Sequence, residues 1–186
     1  MLFDARGDIF SVPAGEGTTH NLTNNHGVRA IYPQWSPDGK YIAYYADNSG
    51  EYEVYLLENK ENAQPRQVTK GSKGWKYQPV WSPDSKMLVY FDRSMKLQLV
   101  HLDNGKVTVV DTPTSDEIRS YSFSPDSRWV TYTKKSANGQ SAIWVYNIEQ
   151  SKATQLTNGT FGDNNPVFSQ CGEYIFFVSN RDFNLE

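Results

Sequence analysis

Cys171 is the only cysteine in 186 residues, and a lone thiol excludes an intrachain disulfide or a zinc site built on several cysteines. Its place in a degraded turn motif makes it a bystander rather than a nucleophile. No stretch approaches the roughly 18 apolar residues of a membrane-spanning helix, and the N-terminus lacks the basic patch and apolar core of a secretory signal. Runs of like charge are missing too: 18 Lys and Arg mix with 21 Asp and Glu for a net charge of −3, so nucleic acid is not an expected partner. The histidines His20, His26 and His101 fall at unrelated positions and no Gly-x-Ser-x-Gly elbow is present, so no nucleophile, base and acid are expected to converge. No helix-period segment of useful length occurs, and the compartment stays open.

What is abundant is repetition. Trp35-Ser36-Pro37-Asp38-Gly39-Lys40-Tyr41-Ile42-Ala43-Tyr44 returns from Trp81 to Tyr90, from Phe123 to Tyr132 and, in worn form, from Phe168 to Phe177. The leading aromatics are 46, 42 and 45 residues apart, a period of blade-sized β-repeats. Within a repeat, Pro37 presets φ for a tight turn, Ser36 and Asp38 bond nearby backbone, and Gly39 accepts positive φ. The turn joins a short strand ending at Trp35 to a strand, residues 41–46, apolar enough to be buried on both faces. Asp47-Asn48-Ser49-Gly50 signals a second turn, since it lacks the alternating carboxylates of a calcium loop. A third strand at 51–57 and an edge strand at 66–69 complete four antiparallel strands. Third-strand anchors at Ile9, Val54, Leu99 and Ile143, and fourth-strand anchors at Leu22, Val68, Val110 and Leu156, keep the same period.

The fold expected is all-β: a β-propeller of four blades' worth of four-stranded antiparallel sheets, three complete blades plus two half blades at the termini. The divisions fall at 1–27 (half blade), 28–74, 75–116 and 117–161 (blades) and 162–186 (half blade). Such a chain reads as part of a longer protein, with Leu185-Glu186 open to a cloning origin. Its cut edges call for closure in cis, a homodimer through those edges, or an open arc. The Ser-Pro-Asp sequences read as turns, and the sequons at Asn21 and Asn158 fall on repeat positions. The aromatic columns Trp35, Trp81, Phe123 and Tyr44, Tyr90, Tyr132 are assigned to blade packing.

First strands line a propeller's central channel. At or before their starts sit Arg29, Trp75, Lys76 and Arg119, candidates for a channel-mouth binding site in which three cations gather to attract a peptide carboxylate or acidic side chains. The alternative is that these are solvated loop charges. No catalytic residue, metal ligand or cofactor is expected.

The pattern of Leu-Thr, then Pro-x-Trp-Ser-Pro-Asp-Gly-Lys-x-Ile-Ala-Tyr and an apolar strand resembles the WD-like propeller repeats of tricorn-type proteases, TolB and prolyl oligopeptidase relatives. Arg6-Gly7-Asp8-Ile9-Phe10-Ser11-Val12-Pro13-Ala14 with Asn21-Leu22-Thr23, and Phe177-Val178-Ser179-Asn180-Arg181-Asp182-Phe183-Asn184, are most similar to the N-terminal propeller of tricorn-like peptidases. The resemblance implies a parent serine peptidase with further domains as partners of this chain. It also implies a non-catalytic propeller that filters or guides peptides or serves as an interaction scaffold. A TolB-like protein-binding propeller without a protease, and a propeller gating a prolyl-oligopeptidase-like hydrolase, are the alternatives.

Overall fold

The computed structural model describes residues 1–24 and 27–181; His26 and the final segment 182–186, with Asp182, Phe183, Asn184, Leu185 and Glu186, lie outside the described residues. Five antiparallel sheets follow one another along the chain. The first holds β1 (Leu2–Ala5), β2 (Asp8–Ser11) and β3 (His20–Asn21). The second holds β4 (Ala30–Trp35), β5 (Tyr41–Ala46), β6 (Glu53–Glu58) and β7 (Arg66–Gln67). The third holds β8 (Val80–Trp81), β9 (Met87–Asp92), β10 (Lys96–His101) and β11 (Val107–Asp111). The fourth holds β12 (Tyr121–Phe123), β13 (Trp129–Lys135), β14 (Ser141–Asn147) and β15 (Lys152–Gln155). The last holds β16 (Asp163–Phe168) and β17 (Ile175–Ser179). The described residues contain no helix, so none long and apolar enough to cross a membrane.

Strand order equals chain order in every sheet, the up-and-down arrangement of a propeller blade. Edge strands of neighbouring sheets approach one another: β12 lies near β8 and β16, β1 near β4, and β11 near β15. The first sheet differs from the repeat-based expectation, because Leu2–Ala5 pairs with Asp8–Ser11 through a tight turn and adds a strand to the two anchored by Ile9 and Leu22. That strand lies before the first legible repeat anchor, where no register marks it. The two terminal sheets share no strand pairing among the described residues.

The core lies between sheets. Ile9, Ala30, Ile42 and Tyr44 fill the first interface; Ile31, Tyr45, Leu56, Trp81 and Tyr90 the second; Phe91, Leu99, Ile118, Phe123 and Tyr132 the third. One aromatic departs from its column: Trp35 is 37% exposed whereas Trp81 is 8% and Phe123 7% exposed. Trp81 and Phe123 pack in clusters with the four-stranded sheet before them, whereas the sheet before Trp35 has only three strands, with none inside β1.

The repeated turn works as its chemistry requires. Ser36 Oγ donates to Asp38 Oδ1 (2.7 Å) and accepts from Tyr41 N (2.9 Å), and Ser82 and Ser124 repeat both bonds. In the worn copy Cys171 Sγ takes the carboxylate's place, 3.2 Å from Ser169 Oγ, so the exposed thiol is a turn residue. The position after the aspartate has positive φ throughout: Gly39 (71°), Ser85 (61°), Ser127 (60°) and Gly172 (77°). Serine tolerates that strain at two of them because its hydroxyl ties adjacent sheets. Asp38 N donates to Ser85 Oγ (3.1 Å) and Asp84 N to Ser127 Oγ (3.0 Å). Ser85→Ala and Ser127→Ala are each expected to lower stability by about 1 kcal/mol in urea titrations. Ser→Gly at the same places is expected to cost less, since glycine relieves the positive φ while losing the same bond; a larger loss for glycine would refute this division of roles.

Candidate functional site

The inner strands carry two bulges that explain their prolines. Register shifts between Ile31 and Gln34 in β4 and between Asn164 and Val167 in β16, and the bulge residues Tyr32 (φ 54°) and Asn165 (φ 53°) precede Pro33 and Pro166. A bulge leaves a residue unpaired, so a proline without N–H costs no ladder bond there, and the strand turns its side chains toward the channel. Pro79 sits in the comparable gap between the Lys76–Asp92 bridge and β8.

Against these strands lies a cavity of about 750 Å³, lined by Tyr32 and Gln34 of the second sheet, Tyr77 and Gln78 of the third, and Glu117, Arg119 and Tyr121 of the fourth, among others. Hydrogen bonds between sheets set its walls. Tyr45 hydroxyl donates to Tyr77 O (3.1 Å), Tyr121 hydroxyl to Gln78 O (2.9 Å), and Tyr77 hydroxyl to Glu117 Oε1 (2.6 Å). Arg119 donates from Nε (3.3 Å) and Nη2 (3.1 Å) to Glu117 Oε2. The Tyr77 hydroxyl bond, and to a smaller degree Arg119, hold the Glu117 carboxyl below its ordinary value, while burial pushes the Tyr121 phenol up to about 12. The surface is thus amphipathic: phenol faces, side-chain amides, and one exposed ion pair.

The four residues singled out from sequence are not brought together. Arg119 is in this cavity, its side chain 81% exposed. Arg29 is exposed but lines a different cavity with Arg6, Gly7 and Asp47, and its backbone N–H donates to Asp47 Oδ1 (2.7 Å). Trp75 packs edge-on against Tyr32 (5.9 Å) and Tyr52 (5.4 Å), which makes it a positioning residue for Tyr32. Lys76 is 1% exposed, and its Nζ donates to Tyr52 O. Burial holds its ammonium below the ordinary lysine value, and the nearby charges of Glu53, Asp92 and Glu51 oppose that shift. Lys76 is therefore neither a channel-mouth charge nor a solvated loop charge. Its position repeats as Ala30, Ile118 and Asp163, all buried, so an inward-facing lysine is substituted into a core column.

Tyr77, Tyr121, Tyr32 and Glu117 escaped sequence reasoning because they do not share a register: Tyr32 matches Gln78, and Tyr121 matches Pro79. The signal available was proximity to the inner-strand bulges rather than recurrence. The remaining candidates stay apart: His20 is on β3, His101 ends β10, and Asp47 closes a hairpin turn through its carbonyl, which accepts from Gly50 N (2.8 Å). Among the described residues no three His, Cys, Asp or Glu gather as metal ligands.

The family model for the tricorn protease second beta propeller domain matches residues 1–185. The chain belongs to this propeller family. The tricorn-type resemblance read from sequence stands, but the matching description is that of the second propeller rather than the N-terminal one. This tricorn-type propeller is 32% identical over 171 residues to an uncharacterized protein of Agrobacterium fabrum, spanning 92% of the chain and 42% of that protein. It is 26% identical over 89 residues to tricorn protease homolog 1 of Streptomyces coelicolor, spanning 48% of the chain and 8% of that protein. The chain therefore spans less than half the length of either relative. In fold, it matches the crystal structure of the tricorn protease with a TM-score of 0.85 at 18% identity, over 96% of this chain and 18% of that one. It matches TolB from Acinetobacter baumannii with a TM-score of 0.62 at 18% identity, over 95% of this chain and 44% of that one.

Proposed function

We propose that this tricorn-type propeller carries no catalysis of its own and guides or screens peptides for a tricorn-like serine peptidase of which it forms part. The observation that carries the reading is the inner-strand cavity shared by three successive sheets. Its phenol faces suit side chains of an extended peptide, Gln34 and Gln78 offer donors and acceptors to a peptide backbone, and Arg119 offers a fork to a carboxylate. Glu117 neutralises that fork at rest, so acidic or C-terminal carboxylates compete with a neighbour already present.

A second reading, a protein-binding propeller of the TolB type, is favoured by the fold likeness to TolB over nearly the whole chain. In that reading the same inner surface grips a folded partner, and no peptidase is involved.

Fluorescence polarisation with short labelled peptides, with free and amidated C-termini, separates the readings. Under the first, free-carboxylate peptides bind, and Arg119→Ser weakens them about tenfold, equivalent to about 1.4 kcal/mol, while leaving the amidated peptides unchanged. Arg29→Ser, in the separate cavity, leaves both unchanged. Absence of binding by every peptide, with capture of a folded protein instead, would favour the TolB-type reading.

A further inference from the structure

At the interface between the fourth and last sheets, Asp163 is 0% exposed and neither carboxylate oxygen has a hydrogen-bond partner. Three hydroxyl oxygens of the same two sheets share that condition: Thr133 Oγ1 on β13, Ser136 Oγ just beyond it, and Ser179 Oγ on β17. Their placement is set by the fold. β16 packs against β12, β13 and β14, Asp163 pairs directly with Ser179, and residues opposite each other on antiparallel strands project to one face. Thr133 takes the position of Phe91, whose ring faces the following sheet and packs in a cluster with Ile118. Asp163 takes the position of Ile118. Thr133 also lines a cavity of about 370 Å³ together with Asn164 and Asn165, the two residues after Asp163. Ser136 lies on the near side of Gly159, whose added Cβ would meet its Oγ at 2.9 Å.

The neighbouring cations are engaged elsewhere. Lys134 Nζ holds Asp111 at 2.9 Å, Lys135 holds Asp116 at 2.7 Å, and the Arg181 guanidinium lies over the Phe161 ring at 5.2 Å. The same column in the third sheet shows the contrast, since there Lys76 is set opposite Asp92. A buried carboxylate without a partner costs far more than an ordinary lost hydrogen bond and demands a compensating positive charge.

We propose that this interface binds a monovalent, oxygen-preferring cation, Na⁺ or K⁺, with the Asp163 carboxylate as its charged ligand and the hydroxyls of Thr133, Ser136 and Ser179 as neutral ligands. Charge balance selects the class: one carboxylate and one monovalent ion leave no net charge in the low-dielectric interface, whereas a divalent ion leaves one uncompensated. Oxygen-only donors without sulfur or imidazole select hard ions over transition metals. The ion also explains why Thr133 and Asp163 are tolerated where the preceding interface places Phe91 and Ile118.

Thermal unfolding of the chain in NaCl, KCl and tetramethylammonium chloride at one ionic strength tests this, because screening is then held constant. The wild type is expected to melt roughly 2–4 °C higher in Na⁺ or K⁺ than in tetramethylammonium, which is too large to enter. Asp163→Asn removes that difference, Ser179→Ala reduces it, and ²³Na relaxation broadened by the wild type sharpens with Asp163→Asn. Equal melting in all three salts together with unbroadened ²³Na signals overturns the proposal. So does a salt difference that survives Asp163→Asn. If Asp163→Asn fails to fold, the Ser179→Ala comparison and the wild-type ²³Na measurement decide alone.

Discussion

Trp81→Ala is expected to destabilise the chain by about 3–5 kcal/mol, and Trp35→Ala, at the same position of the preceding repeat, by less than about 1.5 kcal/mol. Trp81 packs with Ile31, Ala43, Tyr45, Leu56, Leu88 and Tyr90 across the interface of the second and third sheets. Truncation there removes a large indole and leaves a cavity between two sheets that cannot close without moving both. Trp35 follows the three-stranded first sheet and keeps 37% of its surface in water, so its removal uncovers less buried surface than removal of Trp81, which is 8% exposed. The indole Nε1 of Trp81 is buried without a partner, a cost that phenylalanine avoids. Trp81→Phe is therefore expected to recover most of the loss. Urea midpoints of the three variants check the ordering. Equal losses at the two tryptophans would mean that Trp35 is covered in solution, as a self-associated form through the first sheet would do.

How much of this was legible in sequence follows from what repeats and what does not. Ser36, Asp38 and the aromatic columns recur because every blade needs the same turn and the same inter-sheet filling, and those residues placed the three complete sheets. β1 has no recurring anchor, so Leu2–Ala5 was silent until its pairing with Asp8–Ser11 was seen. The site was less legible for the opposite reason. Function in a repeat fold resides where copies differ, and Tyr32, Tyr77 and Tyr121 reach one cavity from different registers. Charge alone misled at Lys76: a lysine beside a glycine-rich loop looks solvated, yet its side chain enters a column that holds Ala30 and Ile118 in the neighbouring sheets. Substitution within a core column was the available sign, and it applies equally to Asp163. Close approach of sheets leaves a similar trace at Gly105 (φ 71°), where an added Cβ would lie 2.3 Å from Val68 O.

Raising the pH is expected to unfold the chain cooperatively one to three units above pH 10. Four tyrosines, Tyr44, Tyr45, Tyr90 and Tyr132, are at most 1% exposed. Burial pushes each phenol above its ordinary value; the neighbouring Tyr55 adds to this at Tyr44, Tyr90 at Tyr45, Asp92 at Tyr90, and the bond to Asp111 at Tyr132. The Tyr132 hydroxyl donates to Asp111 Oδ2 (2.7 Å), a bond that the phenolate loses. Between the unfolded value near 10 and the raised folded value, the folded state keeps protons that the unfolded state releases, so stability is whole below pH 10 and falls as the pH rises. Each tyrosine contributes about 1.4 kcal/mol per pH unit, and four together about 5–6 kcal/mol per unit, against a typical domain stability of about 5–15 kcal/mol. Absorbance of tyrosinate and far-ultraviolet circular dichroism should therefore show one coincident late step, after an earlier non-cooperative rise from exposed phenols. Tyr45→Phe removes one of the four and should lower the slope of stability against pH by about a quarter. Full ionisation near pH 10 with unchanged dichroism would show that these phenols meet water, and with it that the inter-sheet core is open.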